Sequence, residues 1–272
     1  MDFASKLMER TGKGYLSYSA LKYAADGSPD QDMKLFEMYM SGNLRKTSDA
    51  LQFGGLYDTL LLEPETLTDK YYIIYDDKKI IELSDQYKNP RASKIYKDWF
   101  AGELEHAEGK SIVTEDMMVQ AETMINRLDE SEVLDMETGE IQSVRHYLAG
   151  ETQYEIVDWI GDIPVRGFLD VRGKNFITDS KTTAKSVHGF KWDVAKYSYD
   201  VQAYIYTEVE QQDDFYWVVQ SKQSPHLTGV YKASKLTLSK GEAKFWSAIQ
   251  NIRQWLDRPT KGTHTFGVYG QI

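Results

Sequence analysis

Three apolar stretches, residues 153–159, 163–171 and 175–181, constrain this chain more than any other feature. Each is rich in Val, Ile, Phe, Tyr and Trp, and only Gly161-Asp162 and Gly173-Lys174-Asn175 separate them. Connections that short join antiparallel strands, because a parallel pair needs a crossover of a dozen or more residues. The stretch therefore reads as a three-stranded meander. Residues 186–196 and 199–210 follow with helical spacing, residues 214–220 and 228–233 read as further strands, and residues 237–257 as a terminal helix stopped near Pro259. Upstream, Ser17-Tyr18-Ser19 caps a short helix at 20–23. Residues 30–39, 48–62 (ended by Pro64), 90–107 and 114–129 read as helices, and 71–75 as a strand. Helices, meander, helices, strands and helix make an α+β or mixed α/β chain, with a central mixed β-sheet flanked by helices. No Pro/Gly/Ser-rich linker divides it. The expectation is one domain over 1–272, mainly helical over 1–130, with its core over 150–257.

Composition narrows the chemistry. The 272 residues are 41% apolar, enough for a sizeable core, and include no cysteine. Disulfides, thiolate zinc sites, iron–sulfur clusters and cysteine nucleophiles are excluded. No apolar run approaches the ~18 residues of a membrane span, and the start lacks the order of a secretory signal, so a soluble cytoplasmic protein with no membrane partner is expected. The net charge of −10 is unevenly spread. Residues 98–140 carry 13 acidic and 2 basic side chains, 172–197 carry 6 basic and 2 acidic, and 232–261 carry 7 basic and 2 acidic. The later segments can face phosphates; read alone, they are equally solvated helix faces.

The second hairpin holds the chemistry. A two-residue loop at Lys174-Asn175 sets Asp170 opposite Asp179, with Cβ atoms about 4.5–5.5 Å apart. Like charges so placed repel, and a divalent cation between them is the economical reason for tolerating it. Lys181, two residues on, projects to the same face as Asp179, while the Ser180 carbonyl is available at the strand edge. Hard oxygen donors suit Mg²⁺ or Mn²⁺. Glu151, opening the preceding strand, is a candidate further carboxylate. Gln202 and Tyr206, four apart on a helix, share a face from which an amide and a phenol could touch a nucleotide. The plain alternatives are surface carboxylates paired with Lys181 and aromatic residues packed in a core.

Together these residues resemble a known group. Glu151, Gly167-x-x-Asp170, Asp179-x-Lys181 and Gln202-x-x-x-Tyr206 resemble the PD-(D/E)xK nuclease superfamily, and within it the phage-type RecE (exonuclease VIII) branch related to the RecB nuclease domain and lambda exonuclease. The run from Asp179 to Thr183 resembles that branch's D-x-K-T-T. Ser17-x-Ser19-x-Leu21-Lys22 resembles its opening segment. The run from Phe53 to Pro64 resembles its F-G-x-x-x-H-x-L-L-L-E-P helix, except that Asp58 stands where the family carries histidine.

The resemblance implies a restriction-endonuclease-like core and a Mg²⁺-dependent (or Mn²⁺-dependent) DNA exonuclease. Asp170, Asp179, the Ser180 carbonyl and Glu151 would hold metal, with Asp58 as a possible ligand, and Lys181 would position the attacking water. Gln202, Tyr206, Thr182 and Lys185 would contact the substrate strand. It further implies 5′-to-3′ digestion of linear duplex from its ends, 3′ single strands for recombination, a ring-like homo-oligomer, a single-strand annealing partner, and a phage or prophage gene expressed in the bacterial cytoplasm. Two alternatives stay open: a structure-specific endonuclease of the same superfamily, and a weakly active DNA-binding protein that keeps the fold.

Overall fold

The computed structural model describes residues 2–44, 48–136 and 138–258. The chain begins with α1 (Phe3–Thr11), α2 (Tyr18–Leu21), α3 (Met33–Met40) and α4 (Asp49–Leu62). Each starts where a side-chain oxygen can take an otherwise unpaired first-turn N–H: Asp2, Ser17, Asp32 and Ser48 all accept from the backbone two or three residues on. Then come α5 (Leu67–Lys70), β1 (Tyr71–Ile74), α6 (Asp77–Ser84), α7 (Lys94–His106), β2 (Ser111–Thr114) and α8 (Glu115–Asp129). β1 and β2 pair in parallel, and β3 (Glu132–Leu134) and β4 (Ile141–Ser143) form a small antiparallel ribbon.

The expected meander is β5 (Glu151–Ile160), β6 (Ile163–Arg172) and β7 (Ile177–Thr183). Helices α9 (Phe190–Lys196) and α10 (Tyr199–Glu210) then carry the chain across to β8 (Phe215–Ser221), which pairs with β7 in parallel; β9 (Thr228–Lys232) pairs antiparallel, and α11 (Lys235–Leu256) closes the described chain. The five-stranded sheet has the order β5-β6-β7-β8-β9 and is mixed, and the whole is mixed α/β. The helix expected over 186–196 begins as a 3₁₀ turn at Val187–Gly189, and that over 90–107 as one at Pro90–Ala92.

Alternation along β8 defines the two faces of the sheet. Phe215, Trp217 and Val219 join one buried cluster with α10, α11 and the N-terminal helices, whereas Val218 joins a second with α4 and α8. β7 follows the same rule, with Ile177 in the first cluster. Asp179 and Lys181 therefore project toward α10, and Ser180 and Thr182 toward α4. Helix α10 is buried over the whole run from Asp200 to Thr207, as expected of a helix wedged between a sheet and α11.

Candidate active site

The site sits in a fork between β6 and β7. Their ladder consists of Val171↔Thr178 and Arg172↔Ile177, which is the register expected from the Lys174-Asn175 loop, closed by Gly173 N–H donating to the Phe176 carbonyl at 2.9 Å. One step further, at Asp170 and Asp179, the strands have parted. Ser180 N–H, which would have bonded a β6 carbonyl, donates to Asp170 Oδ2 at 2.8 Å. The Asp170 side chain thus takes the place of a ladder acceptor. β7 turns its odd-numbered backbone groups to β8: Ile177 N–H donates to Asp214 and the Thr183 carbonyl accepts from Lys222. The Ser180 carbonyl consequently faces the fork, where Lys181 Nζ lies 3.2 Å away.

Higher up, the fork is walled by the N-terminal segment. Leu16 N–H donates to the Pro164 carbonyl at 2.9 Å and Arg166 N–H to the Leu16 carbonyl at 2.8 Å, so this segment adds to the β6 edge that β7 has left. The result is a cavity of 570 Å³ whose lining includes Asp58, Asp170, Asp179, Lys181, Gln202 and Tyr206. These six come from four elements: α4, β6, β7 and α10.

Asp179 is 2% exposed. Gln202 Nε2 donates to its Oδ1 at 2.7 Å, and Lys181 Nζ forms an ion pair with its Oδ2. Oδ2 nonetheless has no hydrogen bond of good geometry, which leaves it acceptor capacity inside the cavity. Burial would lower the Lys181 ammonium, but the Asp179 and Asp170 carboxylates outweigh it and hold Lys181 well above the ordinary lysine range. Burial also raises the Asp170 carboxyl well above the usual range, and the like charges of Asp179 and Asp58 raise it further. The Asp58 carboxyl is pushed up to about 7 by burial, with Lys181 opposing and Asp179 adding to the rise. Three carboxyls line the cavity with the Lys181 ammonium, and Lys13 and Arg166 line it as well; two of the carboxyls, Asp58 and Asp170, are raised, by burial first and by like charge second.

The chemistry of the donors answers whether a divalent cation fits. The available donors (Asp58, Asp170, Asp179 Oδ2 and the Ser180 carbonyl) are all hard oxygens, as Mg²⁺ and Mn²⁺ require. A cation there would offset the like charge that adds to burial in raising Asp58 and Asp170. Among the described residues no three His, Cys, Asp or Glu side chains form a ready cluster. Protein donors occupy part of the set instead, Ser180 N–H on Asp170 and Gln202 with Lys181 on Asp179.

Four expected site residues are placed differently. Glu151 is exposed, lies opposite Arg172 in the β5–β6 register, contacts its guanidinium at 3.5 Å, and is outside the cavity lining. Lys185 is exposed beyond the end of β7, its backbone N–H on Thr183 Oγ1. Thr182 lies on the α4 face, away from Lys181 and near Gly54. Gln202, expected against substrate, spends its amide N–H on Asp179 and so positions that carboxylate. Tyr206 does line the cavity, and it explains a glycine: a Cβ at Gly167 would stand 2.7 Å from Tyr206 Cε1. The sequence reading missed Lys13, Tyr15, Arg166 and Phe168, which also line the cavity. The signal for two of them was nearness along the strand, since Arg166 and Phe168 stand four and two residues before Asp170 on β6. Gln153 was missed as well. It holds φ at 50°, interrupts the β5–β6 ladder opposite Asp170, and brings its Nε2 to 3.4 Å from Asp170 Oδ1.

A family model described as a PDDEXK-like domain of unknown function (DUF3799) matches residues 17–264. The chain belongs to that family. Among solved structures, it is similar to a protein from Eubacterium rectale described as a "putative exonuclease", with 16% identity and a TM-score of 0.56 over 92% of this chain and 82% of that one. At that identity the likeness establishes a shared fold. A search of curated proteins finds no match. Among the described residues no helix is long and apolar enough to cross a membrane.

Proposed function

We propose that the protein is a metal-dependent DNA exonuclease. The observation that carries this reading is the convergence of Asp58, Asp170, Asp179 and Lys181, from three separate elements, on one cavity at the β6–β7 fork of a PDDEXK-like fold. Asp170, Asp179, Asp58 and the Ser180 carbonyl would hold Mg²⁺ or Mn²⁺. When bound, the cation would polarise the phosphodiester and stabilise charge on the leaving oxygen. The chain's own groups do the rest. Gln202 fixes the Asp179 carboxylate through Oδ1, and Oδ2, which pairs with Lys181, would turn to the cation. Asp170 is fixed by Ser180 N–H. Lys181, kept charged by its two carboxylate neighbours, would donate an N–H to an attacking water or a phosphoryl oxygen. Tyr206, packed over Gly167, supplies a neutral phenol, because burial and the Asp179 and Asp170 charges keep it protonated.

The preference for linear duplex ends, 5′-to-3′ polarity, a 3′ single-stranded product used in recombination, a ring-like assembly and an annealing partner complete the proposal, on the strength of the RecE-like motifs in the sequence. The experiment is digestion of 5′-end-labelled and 3′-end-labelled linear duplex with Mg²⁺, alongside closed circular duplex and an Asp179→Ala control. Early release of 5′ label with circles intact and an inert variant is expected. Loss of circles at the same rate would make the enzyme an endonuclease. No loss of any substrate with either metal would leave a DNA-binding protein.

A further inference from the structure

The cavity has a second half that the metal chemistry does not use. Beyond the carboxylates its wall includes Lys13, Tyr15, Tyr39, Arg166 and Phe168, which add cationic and aromatic groups to the acidic ones. Arg166 is held in place from two sides: Nε donates to Glu155 at 2.6 Å and Nη1 to the Tyr15 hydroxyl at 2.9 Å. Its guanidinium carbon stands 5.0 Å from the Tyr15 ring and 5.9 Å from the Phe168 ring. Lys13 has no carboxylate partner among the described residues, and its ammonium lies 5.5 Å over the Tyr39 ring. Phe168 is 48% exposed although it lines a cavity, so a large apolar ring face is left open beside Asp170.

We infer that this half of the cavity is a subsite for one unpaired nucleotide of the strand being cut, its base stacked on Phe168 and its phosphate held by Lys13 against the Arg166–Tyr15 wall. The inference rests on the nuclease reading and specifies its substrate: a strand end already separated from its complement. Three observations support it. Open aromatic faces next to cations suit nucleic-acid strands, since every base has a face that stacks and every nucleotide a phosphate. The volume, 570 Å³ for both halves together, lies in the range of about 300–1,000 Å³ that takes a single small ligand. A duplex is far wider, since its major groove alone is about 12 Å across, so only one strand can reach the carboxylates. Finally, Phe168 and Asp170 line the same cavity two residues apart on β6, so a base on Phe168 has its flanking phosphodiester near the carboxylates.

The test is equilibrium binding of a fluorescent single-stranded oligonucleotide in EDTA, which removes the metal-dependent step from the measurement. Phe168→Ala should weaken binding roughly five- to hundredfold, the cost of one lost base stack, and Phe168→Trp should restore it. Lys13→Ala should weaken binding more modestly and reduce the salt dependence by about one phosphate contact. The full chain should also prefer a frayed or single-stranded end to a duplex whose ends are covalently closed. Unchanged binding by Phe168→Ala, or equal affinity for closed and frayed ends, would overturn the subsite. Failure of the two readings is separable. A wild-type protein that binds oligonucleotide through Phe168 but hydrolyses nothing refutes the nuclease and keeps the subsite. One that hydrolyses DNA but binds independently of Phe168 refutes the subsite and keeps the nuclease.

Discussion

The chain buries aspartate in two contrasting ways. Asp76, between β1 and α6, is 0% exposed and surrounded by donors: Arg91 Nε at 3.0 Å, Arg91 Nη2 at 3.3 Å and the Tyr96 hydroxyl. Burial alone would raise its carboxyl, but the Arg91 and Tyr96 hydrogen bonds overcome this and hold it below the usual range. Asp170 and Asp58 are shifted upward, first by burial and then by the like charges around them, which Lys181 and their hydrogen bonds do not outweigh. The same side chain is a finished structural element in one place and an unfinished one in the other. A carboxylate whose acceptor capacity is filled by the protein stabilises the fold, and one whose capacity is left open stabilises whatever cation arrives.

The sharpest way to break this contrast is to exchange the consequences of mutation. Asp179→Ala should reduce cleavage by at least about 10³-fold, the scale of losing a main electrostatic support of a transition state. It should also weaken Mg²⁺ binding, read by the loss of Mg²⁺-induced thermal stabilisation. Lys181→Ala should cost about 10²–10³-fold in rate while keeping Mg²⁺ binding. A Lys181 variant that binds no metal would mean the ammonium holds the carboxylates in place rather than serving the reaction. Asp76→Ala should do the opposite. Cleavage at low temperature should stay near wild type, and stability should fall by about 1–3 kcal/mol in denaturant titration, because the Tyr96 hydroxyl loses its buried acceptor while Arg91 turns to solvent and Asp116. Equal stability of that variant and wild type would place Asp76 outside the structural class.

How much of this was legible in the sequence follows from how local each signal is. Helix α10 has the bounds that its pattern predicted, 199–210, and α4 begins one residue after its Ser48 cap. The register at Asp170 and Asp179 was readable because a two-residue turn fixes it. The same arithmetic about the Gly161-Asp162 turn pairs Glu151 with Arg172, an obvious ion pair, so Glu151 was a readable miss. The missed helix α6 has no side-chain cap, and the missed strands β2, β3 and β4 have four residues or fewer, whereas α1 carries both flanking signals, the Asp2 cap and a left-handed Gly12, and was readable. The parallel pairing of β7 with β8 leaves no mark in either strand. Asp58 came through family resemblance alone, since no spacing rule brings a side chain of α4 to a strand more than a hundred residues away. Lys13 and Tyr15 reach the cavity because Leu16 bridges to β6, a contact that the composition of residues 13–19 does not announce.

Acidity separates the two kinds of aspartate in the metal-free protein. A carboxyl whose folded value is raised binds protons more tightly folded than unfolded, so its contribution to stability is present at low pH and is lost as pH rises. For Asp58 the window runs from about 4, where the unfolded group titrates, to about 7. Asp76, whose folded value is lowered, contributes above about 4 and loses its contribution as pH falls below that. In EDTA, thermal stability should therefore decline between pH 5 and 8, and Mg²⁺ should flatten the decline. Stability that rises over that interval in EDTA would show that the fork carboxylates are compensated after all.

The smallest expected effect is at Asp170. Asp170→Asn keeps the side-chain oxygen that accepts Ser180 N–H and removes one of the like charges facing Asp179 and Asp58. In EDTA near pH 8 the change should be neutral or stabilising, by up to about 1 kcal/mol, the range for one like-charge cross-strand pair. In Mg²⁺ the order should reverse, because wild type gains stability from the cation and the variant gains less. The matching change at the structural site, Asp76→Asn, should destabilise under both conditions, since an amide there loses charge-assisted bonds to Arg91. The informative quantity is the difference between the two variants with and without metal. A clear loss of stability for Asp170→Asn in EDTA would mean that Asp170, like Asp76, is held in place for the fold rather than for a cation.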